Sequence, residues 1–509
     1  MSNAVSRLFL DPVDAESDRV PARYRYSGDN RLWLAALGIG AVLLVAGTVF
    51  GLAAGLDVVL FGYLVGWTFC LSISLGALLF VMIHHVTRAR WSTTIRRIPE
   101  ALAASFPLLA LAGIPILLGM HDVFHWSHAE LYEPGGPEYD GILDGKSAYF
   151  FLPFEAGTFP LFFVVRYVAY FLIWSWLGTK LYRLSVRNDQ APDVANTRAM
   201  YKASAYGIPL MAVTIAFAGY DYLMSTDPHW FSTMFGVYFF AGGWLGALCL
   251  ITFIALLLKK GGMLEEVTVE HIQDMGKYMF AFTVFWTYIA FSQYMLYWYA
   301  NLPEETVWFE KRFTAGWETV SWALLIFHFI LPFLILLPRQ TKRVYPAIAI
   351  MAGWLLTMHA VDLWWITGPA RHVTEGHHDA EHVEEHAALP APEGVVELVA
   401  MQTNDSEFDG EASEGAAAPQ GLRQPGAELD PAATPQAGET VAGAVNTPER
   451  AAADMTLHVA PAHFPIVELL MWLGLFGLYL GAVFLRLSRH ALTPYGDPYF
   501  ADSLRFENT

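Results

Sequence analysis

A chain of 509 residues with a mean hydropathy of +0.37, 55% hydrophobic and only 15% charged residues is too apolar for a soluble globular protein and long enough for a polytopic membrane one. Its formal charge of −18 misleads, because residues 369–462 carry 17 acidic and three basic residues and so account for −14 of it; neither that balance nor any basic run suits a nucleic-acid partner. The two cysteines, Cys70 and Cys249, form no CxxCH, CxxC or cluster-ligand spacing, which excludes a c-type haem or an iron–sulfur centre held by this chain alone.

Runs long enough to cross about 30 Å of hydrocarbon predict ten spans, at about 32–54, 58–85, 99–120, 158–181, 204–225, 229–258, 272–298, 315–338, 344–367 and 463–487. The fold class is an all-α polytopic membrane protein. The first thirty residues lack the basic-then-apolar layout of a cleaved signal, so 1–31 reads as a cytoplasmic tail. Spans one to nine then fill a membrane domain over 32–367, an acidic insert occupies 368–462, span ten follows at 463–487, and 488–509 forms a second tail.

Orientation follows from Lys and Arg. With the N-terminus inside, only six of the 30 basic residues fall outside: Lys146, Lys311, Arg312, Arg371, Arg423 and Arg450. Arg166 is within a span, and the rest lie on the inner side. Both termini are therefore expected in the cytoplasm and the acidic insert in the periplasm.

Residues 369–462 are rich in Ala, Pro, Gly, Glu and His and show no apolar periodicity. Such a composition does not bury enough surface to offset ordering entropy, and it reads as a solvated acidic tether. The loop 121–157 is better built, with aromatics and a Gly135-Gly136-Pro137 turn, and suits a contact surface. Between spans five and six, Asp227 is expected to cap and Pro228 to occupy a first helical turn. Short joints force antiparallel neighbours. Spans 2–5 and 6–9 then read as two consecutive four-helix bundles, with spans 1 and 10 peripheral.

Ionisable residues well inside apolar spans mark a polar seam, since a charge at mid-helix depth costs roughly 2.5–3.5 kcal/mol on insertion scales. Arg166 and Tyr170 share one face of span four; Thr214, Ala218, Asp221 and Ser225 share one of span five, with Tyr222 beside them. Counted from the outer ends at 1.5 Å per residue, Asp221 lies about 8 Å deep and Arg166 about 12 Å, so the two are expected to pair. Span seven supplies Tyr294 and Thr287, with Ser292 and Gln293 next to them. Span eight carries Glu318, Ser321, Leu325 and His328 on one stripe, and span nine sets His359 and Asp362 three apart on one face. Carboxylates, imidazoles and hydroxyls in a row are what proton transfer through lipid requires. Interhelical hydrogen bonding is the competing role, and it suits Ser292, Ser321 and Thr214. By the same depth reckoning His328 (about 20 Å) and His359 (about 12 Å) mismatch as haem b ligands. His121, His125 and His128 read as an interfacial polar cluster rather than a metal site.

Two long stretches, GYDYLMSTDPHWFSTMFGVYFFAGGW (219–244) and WTYIAFSQYMLYWYANLPEET (286–306), together with GWTFCLSISLGALLFVMIHHVT (66–87), carry a resemblance. In them the chain resembles the polysulfide-reductase-C-like (NrfD-like) membrane subunits of bacterial alternative complex III, a quinol:cytochrome c oxidoreductase. The resemblance covers nearly all spans but not the acidic insert. It implies two four-helix bundles plus two outer helices, no cofactor of the chain's own, and a place in the respiratory electron transport of the bacterial inner membrane. The implied partners are an iron–sulfur subunit, c-type cytochrome subunits carrying haem c, small membrane subunits, lipids, a terminal oxidase, and a sister NrfD-like subunit, ActC, expected to hold the quinol site. The chain itself would scaffold the complex and conduct protons. Two other classes stay open: a quinone-binding NrfD-like subunit in its own right, and a secondary transporter, against which the spans lack paired broken helices.

Overall fold

The computed structural model describes residues 20–29, 31–371, 461–462 and 465–507. Among them no strand occurs, and ten helices are long and apolar enough to cross a membrane. They are α1 (Arg31–Leu52), α2 (Leu56–Val86), α3 (Arg97–Leu118), α4 (Leu161–Gln190), α5 (Val194–Tyr222), α6 (Phe235–Lys260), α7 (Val269–Ala300), α8 (Trp317–Leu336), α9 (Tyr345–Thr367) and α10 (Ile466–Arg489). The acidic insert, apart from its ends at 368–371 and 461–462, lies outside the described residues.

Several helices outrun the apolar stretches that betray them. α4 continues to Gln190 and α5 begins at Val194, so the pair closes in a tight polar turn capped by Asp193, whose carboxylate accepts from Ala195 N–H at 2.8 Å. Hydropathy detects the lipid-facing length; capping and i,i+4 hydrogen bonding carry the helix beyond it. α3 is three short segments, with Pro107 and Pro115 in the first turns of the second and third.

The joint between α5 and α6 departs from expectation. α6 starts at Phe235, not near Pro228, and Asp227 caps nothing in it. Its carboxylate instead accepts from Lys311 Nζ at 2.9 Å. Residues 229–234 stay irregular because Trp230 turns inward and stacks on Trp308 with 4.4 Å between ring centroids.

α2 through α5 pack as one group and α6 through α9 as a second, joined along α2, α5, α6 and α9, while α1 and α10 pair with each other against α2. Small residues set the close crossings, as lipid-embedded helices without a hydrophobic drive between them require. A Cβ on Gly76 would meet the Gly243 carbonyl at 2.5 Å, and one on Gly40 would meet the Gly474 carbonyl at 2.8 Å. α2 sits at the centre and is buried along nearly its whole length.

Candidate functional site

α9 presents His359 and Asp362, 2% and 1% exposed, toward the junction of α2, α6, α7 and α8. Asp362 Oδ1 accepts from the Tyr238 hydroxyl of α6, and Oδ2 accepts from Trp286 Nε1–H of α7 at 3.3 Å. Both donors are neutral, and no cationic side chain bonds Asp362 among the described residues. This carboxyl can therefore take or release a proton without breaking an ion pair.

On the other side of the cluster, His359 Nε2 lies 2.9 Å from Ser72 Oγ of α2. The Ser72 hydroxyl donates to the Phe69 carbonyl at 2.9 Å, so the ring nitrogen is the donor in its contact with Ser72. In the neutral ring that assignment leaves Nδ1 with a bare lone pair, and Nδ1 is buried without a partner. It faces Gly242 of α6: the place where a Cβ would stand is 3.1 Å from Nδ1 and 3.8 Å from Asp362 Oδ2. Gly246, one turn on, leaves room for the other edge of the ring. Carboxyl and imidazole thus open onto one small gap that glycine keeps clear.

His328 enters the same neighbourhood by a route its spacing does not reveal. Its ring is fully buried and stacks on Trp286 at 3.9 Å, the residue that also donates to Asp362. Both ring nitrogens lack a partner. The stripe expected on α8 does not hold: Leu325 is 40% exposed while His328 is enclosed. Residues Leu324–Ile330 are π-helical, and the extra residue per turn rotates everything beyond it. Trp286 thereby bridges His328 of α8 and Asp362 of α9.

Glu318 and Ser321 precede that turn. Ser321 accepts from Trp365 Nε1–H at 2.8 Å and donates to the Arg312 carbonyl at 2.7 Å, a tie between helix ends. Glu318 Oε2 is buried without a hydrogen-bond partner, and no bond links it to Asp362. Ser292 donates to the Ile289 carbonyl of its own helix at 3.1 Å, and Tyr294 packs edge-on to Phe309.

Arg166 and Asp221 form a separate centre between α4 and α5. The contact is bidentate, with Nε to Oδ2 at 2.9 Å and Nη2 to Oδ1 at 2.8 Å. Tyr170 donates to Oδ2 at 2.9 Å and Tyr149, from the loop before α4, to Oδ1 at 2.8 Å. Arg166 Nη1 reaches the Tyr149 carbonyl, and the guanidinium lies 4.0 Å from the Tyr149 ring. Every strong acceptor site of the carboxylate is filled, which is the arrangement of a structural clamp. Ser225 donates to the Asp221 carbonyl at 2.5 Å. Tyr222 points away, its hydroxyl buried without a partner among Trp67, Tyr167 and Tyr170.

At the C-terminal end of α3, His121 meets Ser127 Oγ at 3.1 Å and His128 the His125 carbonyl at 3.0 Å. Asp140 in the same loop caps the helix Gly141–Lys146 and bonds His229 at 2.5 Å. Burial alone would raise its carboxyl, but His229 and the N–H groups of Leu143 and Ile142 outweigh that and hold it at about 2.

Sequence reasoning missed Tyr238, Trp286, Ser72 and Tyr149. Tyr238 lies four residues ahead of Gly242 in GVYFFAGGW, and a tyrosine one turn before a glycine pair was the available signal. No family model and no curated protein sequence matches the chain.

Proposed function

We propose that the chain is an ActF-like, NrfD-type membrane subunit of a quinol:cytochrome c oxidoreductase of the alternative complex III kind, set in the bacterial inner membrane with both termini cytoplasmic. In that complex it scaffolds the redox partners and passes protons. The resemblance of residues 66–87, 219–244 and 286–306 supports the first part, and the inner-side excess of Lys and Arg supports the orientation.

One observation carries the second part. A carboxyl with only neutral partners, Asp362, and an imidazole with a bare Nδ1, His359, open onto the same gap beside Gly242, and the far nitrogen of that imidazole already donates to Ser72. A proton leaving Asp362 for Nδ1 gives a carboxylate and an imidazolium whose Nε2–H stays bonded to Ser72, so the pair can hold a proton on either partner at the gap. Haem c, iron–sulfur clusters and quinol belong, in this reading, to the partner subunits.

Asp362→Asn keeps shape and hydrogen bonding but removes the proton-carrying group. In vesicles reconstituted with the whole complex it should preserve quinol oxidation and lower the protons moved per electron. An unchanged ratio in Asp362→Asn, and likewise in Glu318→Gln, would reduce the subunit to a scaffold.

A further inference from the structure

At the end of the bundle that carries the C-terminal segment, a cleft of about 220 Å³ opens between the end of α2, the start of α5 and residues 497–499. Its wall holds three arginines, Arg88, Arg96 and Arg198, together with His84, His85, Thr197 and the tyrosines Tyr201 and Tyr499. The single acid in the wall, Asp497, is already committed. Its Oδ2 is bonded by Arg96 and its Oδ1 accepts from Tyr499 N–H at 2.8 Å. Arg96 is likewise spent on Glu100 and Asp497.

The other two guanidiniums are not. Neither Arg88 nor Arg198 is paired with a carboxylate among the described residues. Arg88 is held by stacking on Tyr201, with its guanidinium carbon 5.4 Å from the ring centroid. Its backbone takes φ +53°, a conformation that non-glycine residues seldom adopt. A second feature points to a ligand. His85, 7% exposed, lines the cleft with an Nε2 that is buried and unpartnered. The positive end of the α5 dipole adds to the same field.

We propose that this cleft binds a phosphate ester, and specifically the headgroup phosphate of an anionic phospholipid. Two guanidinium forks, an imidazole nitrogen and hydroxyls from Thr197 and Tyr201 form the donor set that phosphate oxygens accept. The position favours a lipid over a soluble phosphate. Arg88 follows the last turn of α2 and Arg198 sits in the second turn of α5, at the depth where headgroups lie. From the cleft, α5 leads into the bilayer with exposed apolar residues on the side that follows Tyr201, namely Ala205, Pro209, Ala212 and Val213, on which an acyl chain can lie.

The test uses the full-length protein, delipidated in mild detergent, with thermal unfolding followed against added dioleoylphosphatidylglycerol, dioleoylphosphatidylcholine or inorganic phosphate. The wild type should be stabilised by phosphatidylglycerol at a concentration about tenfold lower than Arg88→Gln with Arg198→Gln requires, because two charge-assisted contacts are lost. Both side chains are exposed, so the variant folds. Arg90→Gln, which removes an exposed guanidinium paired with Asp502 beside the cleft, should respond like the wild type. Equal responses of the wild type and the double variant would overturn the site. Stabilisation by inorganic phosphate but not by phosphatidylglycerol would keep the phosphate chemistry and overturn the lipid.

Discussion

The imidazole of His359 rests in a notch that Gly242 leaves in the facing wall of α6: a Cβ there would stand 3.0 Å from Cε1 and 3.1 Å from Nδ1 of the ring. Such a contact is tighter than packed interiors accept, and the ring has no free side to yield toward, with Phe69 tilted against it at 5.5 Å and Ser72 bonded to Nε2. Gly242→Ala should therefore destabilise the subunit by about 1–3 kcal/mol, the usual cost of overpacking. Gly38→Ala is the control, since nothing lies within 4 Å of a Cβ at that position of α1. Thermal unfolding of the two variants should separate them, and equal melting temperatures would remove Gly242 from the account of how His359 is held.

The Arg166–Asp221 clamp makes a different demand. Removing the guanidinium strands a carboxylate that is 1% exposed, and breaking a buried pair from one side costs about 3–5 kcal/mol. Asp221→Asn relieves that charge; its carbonyl oxygen still accepts from one of the two tyrosines, and its NH2 donates to the hydroxyl oxygen of the other. Arg166→Leu alone should thus lower the yield of assembled protein more than Arg166→Leu with Asp221→Asn. Equal damage in the two would mean that the pair is not coupled.

Acid should loosen the loop between α3 and α4 through Asp140. Its carboxyl sits at about 2, below the ordinary aspartate range near about 4, so its contribution is complete above about pH 4 and is lost as pH falls toward about 2. The side chain is partly exposed, and screening keeps the effect modest. Deuterium uptake over residues 141–151 should be slower in the wild type than in Asp140→Asn at about pH 6, with the two converging at about pH 2. A gap that persists unchanged into acid would show that the carboxylate's charge is not what anchors the loop.

Removal of about 380–455 should leave the membrane domain intact. Arg371, just past α9, lies 3.6 Å from Glu468 in the first turn of α10, and Ala462 N–H donates to the Ala315 carbonyl at 2.8 Å. The two flanks therefore meet at one end of the bundle, and a short linker can join them. Size-exclusion profiles of the deleted and full chains should match in monodispersity; aggregation of the deleted form would make the insert a folding element.

Much of the fold was written in the order of residues. Hydrophobic runs of bilayer length determine ten spans, because in lipid every backbone polar group must be satisfied within a helix. Helical periodicity also put Arg166 with Tyr170 and His359 with Asp362 on common faces, since residues three or four apart share a side whatever surrounds them; Ser225 falls past the end of α5 and does not share a face with Asp221. A short polar turn made α4 and α5 antiparallel neighbours, and the ion pair between them followed. What only the tertiary structure decided is who stands opposite. Tyr238, Trp286 and Ser72 are ordinary residues of apolar helices until α2, α6 and α7 are rotated and staggered against α9, and periodicity within one helix holds no information on either quantity. The π-helical turn in α8 shows the limit most directly. It moves His328 off the stripe that Glu318 begins and onto Trp286, because a register set by packing against neighbours overrides the local 3.6-residue repeat.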